Sequence, residues 1–196
     1  MTTNRTRSFA AVAAIAVGVS LTACSQDAET TPTAATSAVT ATSSAAASTT
    51  EPVPTDSSDK TSAAGTESKL TVVDVRVGEH DGFDRVVYEM GGIGTPGWRV
   101  KYVDAATQEG SGKPVDIKGA AVIQVLIDGS AYPFDSGVEQ YSGPNPVPGV
   151  GGVVTEVNGS NVFEGVTQSF IGVTEKQPFT VTTLSDPPRV VVDVAR

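Results

Sequence analysis

One cysteine and one histidine in 196 residues set a narrow limit on the chemistry this chain can perform. Cys24 closes the run Leu21-Thr22-Ala23-Cys24 at the end of the first apolar segment. A thiol is the side chain most readily alkylated, and its small neighbours leave room for a peptidase, so covalent attachment is the chemistry this position offers. With no second cysteine an intrachain disulfide is excluded. A lone His80 rules out a multi-histidine metal site, and a lone Cys24 rules out a cysteine-rich zinc site. The chain has no Gly-x-Ser-x-Gly elbow, no His-Glu-x-x-His helix, no phosphate-cradling glycine loop and no calcium-loop pattern, so neither a metal nor a cofactor is expected. Two catalytic arrangements stay compatible with composition. Triads assemble from distant positions, so His80 could serve one, and 22 acids supply many carboxylate pairs for glycoside hydrolysis. Neither has a spacing pattern behind it, and the expectation is a protein that binds rather than one that catalyses.

Binding chemistry is better represented. Tyr132, Phe134 and Tyr141 fall in a stretch dense in Pro and Gly, where no strand alternation forces them inward, and exposed aromatic rings can stack on sugar faces. Trp98 and Tyr102 share one face of a strand with Val100 and are expected in the core. Arg85 and Arg189 each start a valine-rich strand. They read either as partners of nearby carboxylates such as Asp84 and Asp186, or as two forked donors holding a carboxylate of a peptide stem.

Other segments decide where such groups would work. Arg5 and Arg7 precede an apolar run that ends in small residues before Cys24, the layout of a secretory signal. That run is shorter than the ~20 residues a spanning helix needs. The Leu21 to Cys24 segment resembles the lipobox of bacterial lipoproteins, and the resemblance implies a diacylglyceryl thioether on Cys24 with cleavage of residues 1–23. Such an anchor holds a protein stably on a membrane. The expected location is therefore the extracytoplasmic face of the cell membrane, touched through the lipid anchor only. Residues 24–69 are almost wholly Ser, Thr, Ala, Pro and scattered acids, a composition that cannot offset the entropy of ordering, so an unstructured spacer is expected. As a flexible coil it would reach roughly 35–40 Å. Its Ser, Thr and Pro content also suits O-glycosylation. The formal net charge is −9, and it becomes −11 once Arg5 and Arg7 are removed with the leader. That sign disfavours nucleic acid and anionic headgroups and leaves neutral glycans, basic ligands or other envelope proteins as partners.

From residue 70 the texture is that of an all-β domain. Residues 70–77 place Val73, Val75 and Val77 on one face against Asp74 and Arg76, and residues 79–82 then make a turn. Residues 83–90 alternate Val86, Tyr88 and Met90 against Arg85, Val87 and Glu89. Residues 98–103 follow the same rule, and residues 115–128 read as a longer strand bent at Gly119. Residues 130–152 are the long irregular excursion. Asn158-Gly159 reads as a hairpin turn between residues 153–157 and 161–163, and strands follow at 166–173, 179–184 and 190–194. With no helical period over three turns, the expected fold is an antiparallel β-sandwich, with a closed barrel as the alternative.

Two segments echo each other: Phe83-Asp84-Arg85-Val86-Val87-Tyr88-Glu89 and Asp186-Pro187-Pro188-Arg189-Val190-Val191-Val192-Asp193-Val194. The second, after Thr183-Leu184-Ser185, resembles the closing strand of AMIN domains, cell-envelope modules first noted on peptidoglycan amidases. The first, with His80-Asp81-Gly82 ahead and Gly97-Trp98-Arg99-Val100-Lys101-Tyr102-Val103-Asp104 behind, is similar to the AMIN-like domain of actinobacterial lipoproteins. The likeness covers roughly residues 70–195. It implies a non-catalytic β-sandwich that binds or localises to peptidoglycan or another wall glycan. An adaptor that docks another envelope protein, such as a wall hydrolase, is the second expectation, and a small glycan hydrolase the third.

Overall fold

A computed structural model describes residues 51–196, so the leader, Cys24 and the spacer up to residue 50 lie outside the described residues. Ten strands and one short helix follow in the order β1 (Lys60–Ser62), β2 (Lys69–His80), β3 (Phe83–Ile93), β4 (Gly97–Val103), β5 (Ala121–Asp128), α1 (Pro133–Ser136), β6 (Val147–Pro148), β7 (Val154–Phe163), β8 (Val166–Val173), β9 (Phe179–Leu184) and β10 (Arg189–Ala195). They build a six-stranded sheet in the order β1-β4-β5-β8-β7-β6 and a four-stranded sheet in the order β2-β3-β10-β9. Every ladder is antiparallel and no strand belongs to both sheets, so the fold is the expected sandwich and the barrel alternative falls.

Alternation explains the core. In β3 Val86, Tyr88 and Met90 point inward while Arg85, Val87 and Glu89 form the outer face. Trp98 and Val100 of β4, Ile123, Val125 and Ile127 of β5, and Val190, Val192 and Val194 of β10 meet them between the sheets. Burying apolar surface of this kind stabilises by about 25 cal/mol per Å². The polar tips inside are matched: Trp98 Nε1 donates to the Thr183 hydroxyl at 2.9 Å, and the Tyr88 and Ser169 hydroxyls lie 3.0 Å apart. Trp98 is buried and Tyr102 half-buried against the same core, as their alternation requires.

Four expectations give way to physical detail. Val73 is not on the core face, because the β2–β3 register slips between Val72 and Asp74. Val73 is the extra residue of a bulge, so Leu70 and Val72 fill the core before it and Val75 after it. Asn158-Gly159 is not a hairpin turn. β7 runs straight through it, with an irregular register at Gly159, and the reversal comes at Glu164-Gly165. Both turn residues there have positive φ, 47° and 80°, as a two-residue hairpin turn of the I′ kind demands. β5 starts only at Ala121. Gly119, at φ +146°, bends the chain, and residues 104–120 cross the outer face of the six-stranded sheet, where Gln168 and Glu156 bond their backbone. Finally, α1 forms inside the long excursion, started by Pro133 at its first turn and ended by Gly137 in the left-handed region. Four residues are too few to show a helical period.

The boundary of the spacer also moves. The expectation of unstructured chain through Lys69 does not hold for residues 51–69. β1 pairs with the outer edge of β4, the Phe179 amide donates to the Asp56 carbonyl at 2.9 Å, and Gly65 bonds Thr95. These contacts are mostly main-chain, and an edge strand recruits a neighbour through backbone groups that any sequence carries. Composition, which reports side chains, could not show this.

Candidate functional site

The four-stranded sheet has two distinct ends, because β2 and β3 form one long hairpin closed at His80 and Phe83 and open at Lys69 and Ile93. The ends lie ~30 Å apart at 3.3–3.4 Å per residue.

At the open end, residues 129–141 are fastened to the outer face and free edge of β2. Leu70 donates to the Gly129 carbonyl at 3.1 Å, Ala131 to Leu70 at 2.8 Å, and Tyr141 to Val72 at 2.8 Å. Thr71 points outward yet is wholly buried, because α1 covers it. Its hydroxyl donates to the Ala131 carbonyl at 2.8 Å, which leaves the Ser136 hydroxyl, 2.6 Å away, as the donor to Thr71. Ser130 anchors the start of the segment through its hydroxyl, bonded to Ile127 and Thr167, and its amide, bonded to Gly165. The result is a rigid knuckle on the sheet.

This knuckle carries Tyr132 and Phe134. Their rings stack on one another with centroids 5.4 Å apart and planes 9° from parallel, and Phe134 is 82% exposed and Tyr132 39%. Leaving a Phe in water forfeits the transfer free energy its burial would give, roughly 1.5–3 kcal/mol. Here a well-tied backbone holds that ring outward. Ile93, 67% exposed, ends β3 on the same outer face, and Val73 and Val138 cover the position of Gly91 between them. Tyr141 parts from the other two aromatics. It packs against the core, its hydroxyl donates to the Pro144 carbonyl at 3.0 Å, and burial followed by the nearby Asp74 charge raises its pKa.

The two arginines are not brought together. β3 and β10 are antiparallel neighbours, so residues that start each of them lie toward opposite ends: Arg85 faces Asp193, and Arg189 faces Glu89, four residues away or ~13 Å along the strand. Arg85 belongs to the closed end and is fully engaged. Its Nε and Nη2 bond the two oxygens of Asp193 at 2.7 and 2.8 Å, Nη2 also meets Glu51 at 3.0 Å, and its guanidinium lies 5.2 Å from the Phe83 ring centre. Hydrogen bonding to Asp193 is the main reason its pKa is raised. Neither Asp84 nor Asp186 is the partner of its sequence neighbour. Asp84 is completely buried, accepts from the Val154 amide at 2.9 Å and from Arg196 Nε at 2.7 Å, and so clasps the last residue of the chain to the sandwich.

Arg189 differs from the other arginines. Nε donates to the Pro187 carbonyl at 3.1 Å and Nη2 to the Ser185 carbonyl at 3.4 Å, while Glu89 across the ladder is taken by Arg76 at 3.0 Å. Among the described residues, it is the arginine without a carboxylate within 4 Å: Arg76, Arg85, Arg99 and Arg196 each have one.

His80 stacks on Phe83 with centroids 5.0 Å apart, and its Nδ1 faces Glu51 at 3.6 Å. It therefore belongs to the fastening of residues 51–56 at the closed end. Glu51 could not have been found from its setting in a Ser/Thr/Pro-rich stretch. Ile93 and Leu184 were visible only as strand-end residues. Among the described residues no group of three or more His, Cys, Asp and Glu side chains is arranged to hold a metal, and no helix is long and apolar enough to cross a membrane.

The family model of the AMIN-like domain matches residues 70–196. No curated protein and no solved structure matches the chain.

Proposed function

Because the chain belongs to the AMIN-like domain family, we propose that it is a membrane-anchored lipoprotein whose non-catalytic sandwich binds cell-wall glycan through the stacked Tyr132–Phe134 pair. The observation that carries this reading is the pair itself: two nearly parallel rings held outward on a segment that five hydrogen bonds to β2 and two more to β5 and β8 keep in place. A sugar ring presents C–H groups on one face, and an exposed aromatic of fixed orientation receives them at little entropic cost. Cys24 would supply attachment at the extracytoplasmic face through its lipid, and the Ser/Thr/Ala/Pro-rich chain after it would supply reach toward the wall. Tyr141 then supports the knuckle from the core side, and Arg85 supports the closed end, so both leave the list of ligand contacts.

The test is co-sedimentation of the full mature chain with purified wall sacculi, beside Phe134→Ala and a Tyr132→Ala/Phe134→Ala double variant. Sedimentation of the parent chain and its loss in the double variant are expected. Undiminished sedimentation of the double variant sinks the stacking reading, and release of soluble wall fragments would replace binding by hydrolysis. Attachment is tested separately. Cys24→Ser should move the chain out of the membrane fraction, and retention of that variant with its leader removed would overturn the anchor.

A further inference from the structure

The free guanidinium of Arg189 lies on the same outer face, and at the same end of the four-stranded sheet, as the aromatic knuckle. α1 covers the row where Thr71 faces Gly91, and Arg189 faces Glu89, one strand over and two residues along from Gly91. That places its Cα ~8 Å from Gly91, with the guanidinium held beside the β9–β10 turn. Leu184, its partner on β9, is 39% exposed beside it. Two carbonyls hold the side chain, yet among the described residues both protons of Nη1 and one of Nη2 have no acceptor. The nearby acids do not use them, since Asp74 and Glu89 are both spent on Arg76. Lys69, Lys101, Lys113 and Lys176 also lack a carboxylate within 4 Å, but among the described residues Arg189 is the one forked guanidinium in that state, and a fork suits a carboxylate from outside.

We infer that Arg189 is the carboxylate-binding half of a composite site, so that the ligand class is an acidic glycopeptide: a sugar ring on Tyr132–Phe134 and a peptide carboxylate on Arg189. This rests on the stacking reading above and adds to it a selectivity that a stacking surface alone lacks. A flat aromatic receives any sugar, whereas a forked donor distinguishes a carboxylate from the amide that replaces it. The site would discriminate peptide-bearing wall material with free carboxyl groups from stripped or amidated material.

The experiment titrates the full mature chain with a soluble wall disaccharide–peptide carrying free carboxylates, and with the same compound after its carboxylates are converted to amides. The parent chain should prefer the acid form about tenfold, the scale of one charge-assisted hydrogen bond in a partly exposed site. Arg189→Gln should erase that preference by weakening the acid form alone, and Arg189→Lys should retain part of it. Phe134→Ala should weaken both forms equally. A parent chain with no preference, or a preference that survives Arg189→Gln, overturns the inference while a loss in Phe134→Ala still supports stacking. If Arg189→Gln erases the preference and Phe134→Ala weakens neither form, the carboxylate site stands and stacking, with the composite site, falls. A far-ultraviolet spectrum and thermal midpoint unchanged from the parent chain certify each variant as folded.

Discussion

The two ends of the four-stranded sheet use similar residues for opposite purposes. At the closed end the two arginines and the histidine have partners within the chain: Arg85 with Asp193 and Glu51, Arg196 with Asp84 and Glu79, and His80 with Phe83 and Glu51. At the open end a Phe stands in water and an arginine has no carboxylate partner among the described residues. The difference shows what a sandwich does with its outer face. Where a segment from elsewhere in the chain arrives, here residues 51–56, charges are neutralised and the end becomes structural. At the open end the arriving segment, residues 129–141, is tied by backbone and hydroxyl groups and brings no charge to Arg189, so the exposed rings and the arginine are left for something else.

This contrast is open to attack first through its most buried element. Asp84 has no exposure, and its removal strands the Val154 amide and takes away the main anchor of Arg196. Asp84→Ala is therefore expected to cost about 3 kcal/mol in urea unfolding and to leave wall-fragment affinity at the open end unchanged in the folded fraction. A loss below 1 kcal/mol would mean that the closed end is not held by its charges. Arg85→Ala comes next. Asp193 is nearly buried, so the stranded carboxylate should cost about 2 kcal/mol, reduced because Arg85 itself keeps a fifth of its side chain in solvent. Arg189→Ala, by contrast, should change stability by no more than about 0.5 kcal/mol. Equal costs for the two arginines would erase the distinction between structural and available cations.

The third expectation concerns Phe134. Truncating an exposed ring removes nothing from the core, so Phe134→Ala should leave the urea midpoint within about 0.5 kcal/mol of the parent, while affinity for wall fragments falls about tenfold. If stability drops and affinity does not, the ring is part of the fold and the open end is as structural as the closed one.

Much of the sandwich could be read from residue order, because strand faces are local properties. β3 and β4 alternate without interruption, so Val86, Tyr88, Met90, Trp98 and Val100 sit where the period of two puts them. What escaped was pairwise. The bulge at Val73 shifts every later residue of β2 to the other face, and only the partner strand reveals it. Glu164-Gly165 took the hairpin that Asn158-Gly159 advertises, because register along β8 decides which of two turn signals lies at a strand end. The two arginines looked like one site because their motifs are alike, and became two because the strands run in opposite directions. Of the aromatic trio, Tyr132 and Phe134 share the knuckle while Tyr141 turns inward, a split that the Pro/Gly-rich sequence around them does not encode.

The gentlest probe of the contrast is acid, acting on the segment that makes the closed end structural. The Asp56 carboxylate accepts from the Ser58 amide at 2.8 Å and from the Ser58 hydroxyl at 2.7 Å, and Lys60 lies 3.2 Å away. These contacts, the Ser58 amide first, hold its pKa at about 2, against 3.8 for the free side chain. A depressed pKa means that the ionised form is the one the fold prefers. Its contribution is complete above about 3.8 and disappears as the pH falls through about 2. The group is exposed, so the fold as a whole should survive, and the loss should be confined to residues 56–60 and to the Phe179 amide that donates to the Asp56 carbonyl. A two-dimensional amide spectrum followed from pH 5 downward should show the Ser58 and Phe179 signals moving together with a midpoint near 2, while Thr71 and Ala131 at the open end stay in place. Movement of both ends with one midpoint would show that they are coupled, and a Ser58 midpoint near 3.8 would show that Asp56 is not held at all. In either case the neutralised end would owe its order to the main-chain pairing of β1 with β4 rather than to its charges.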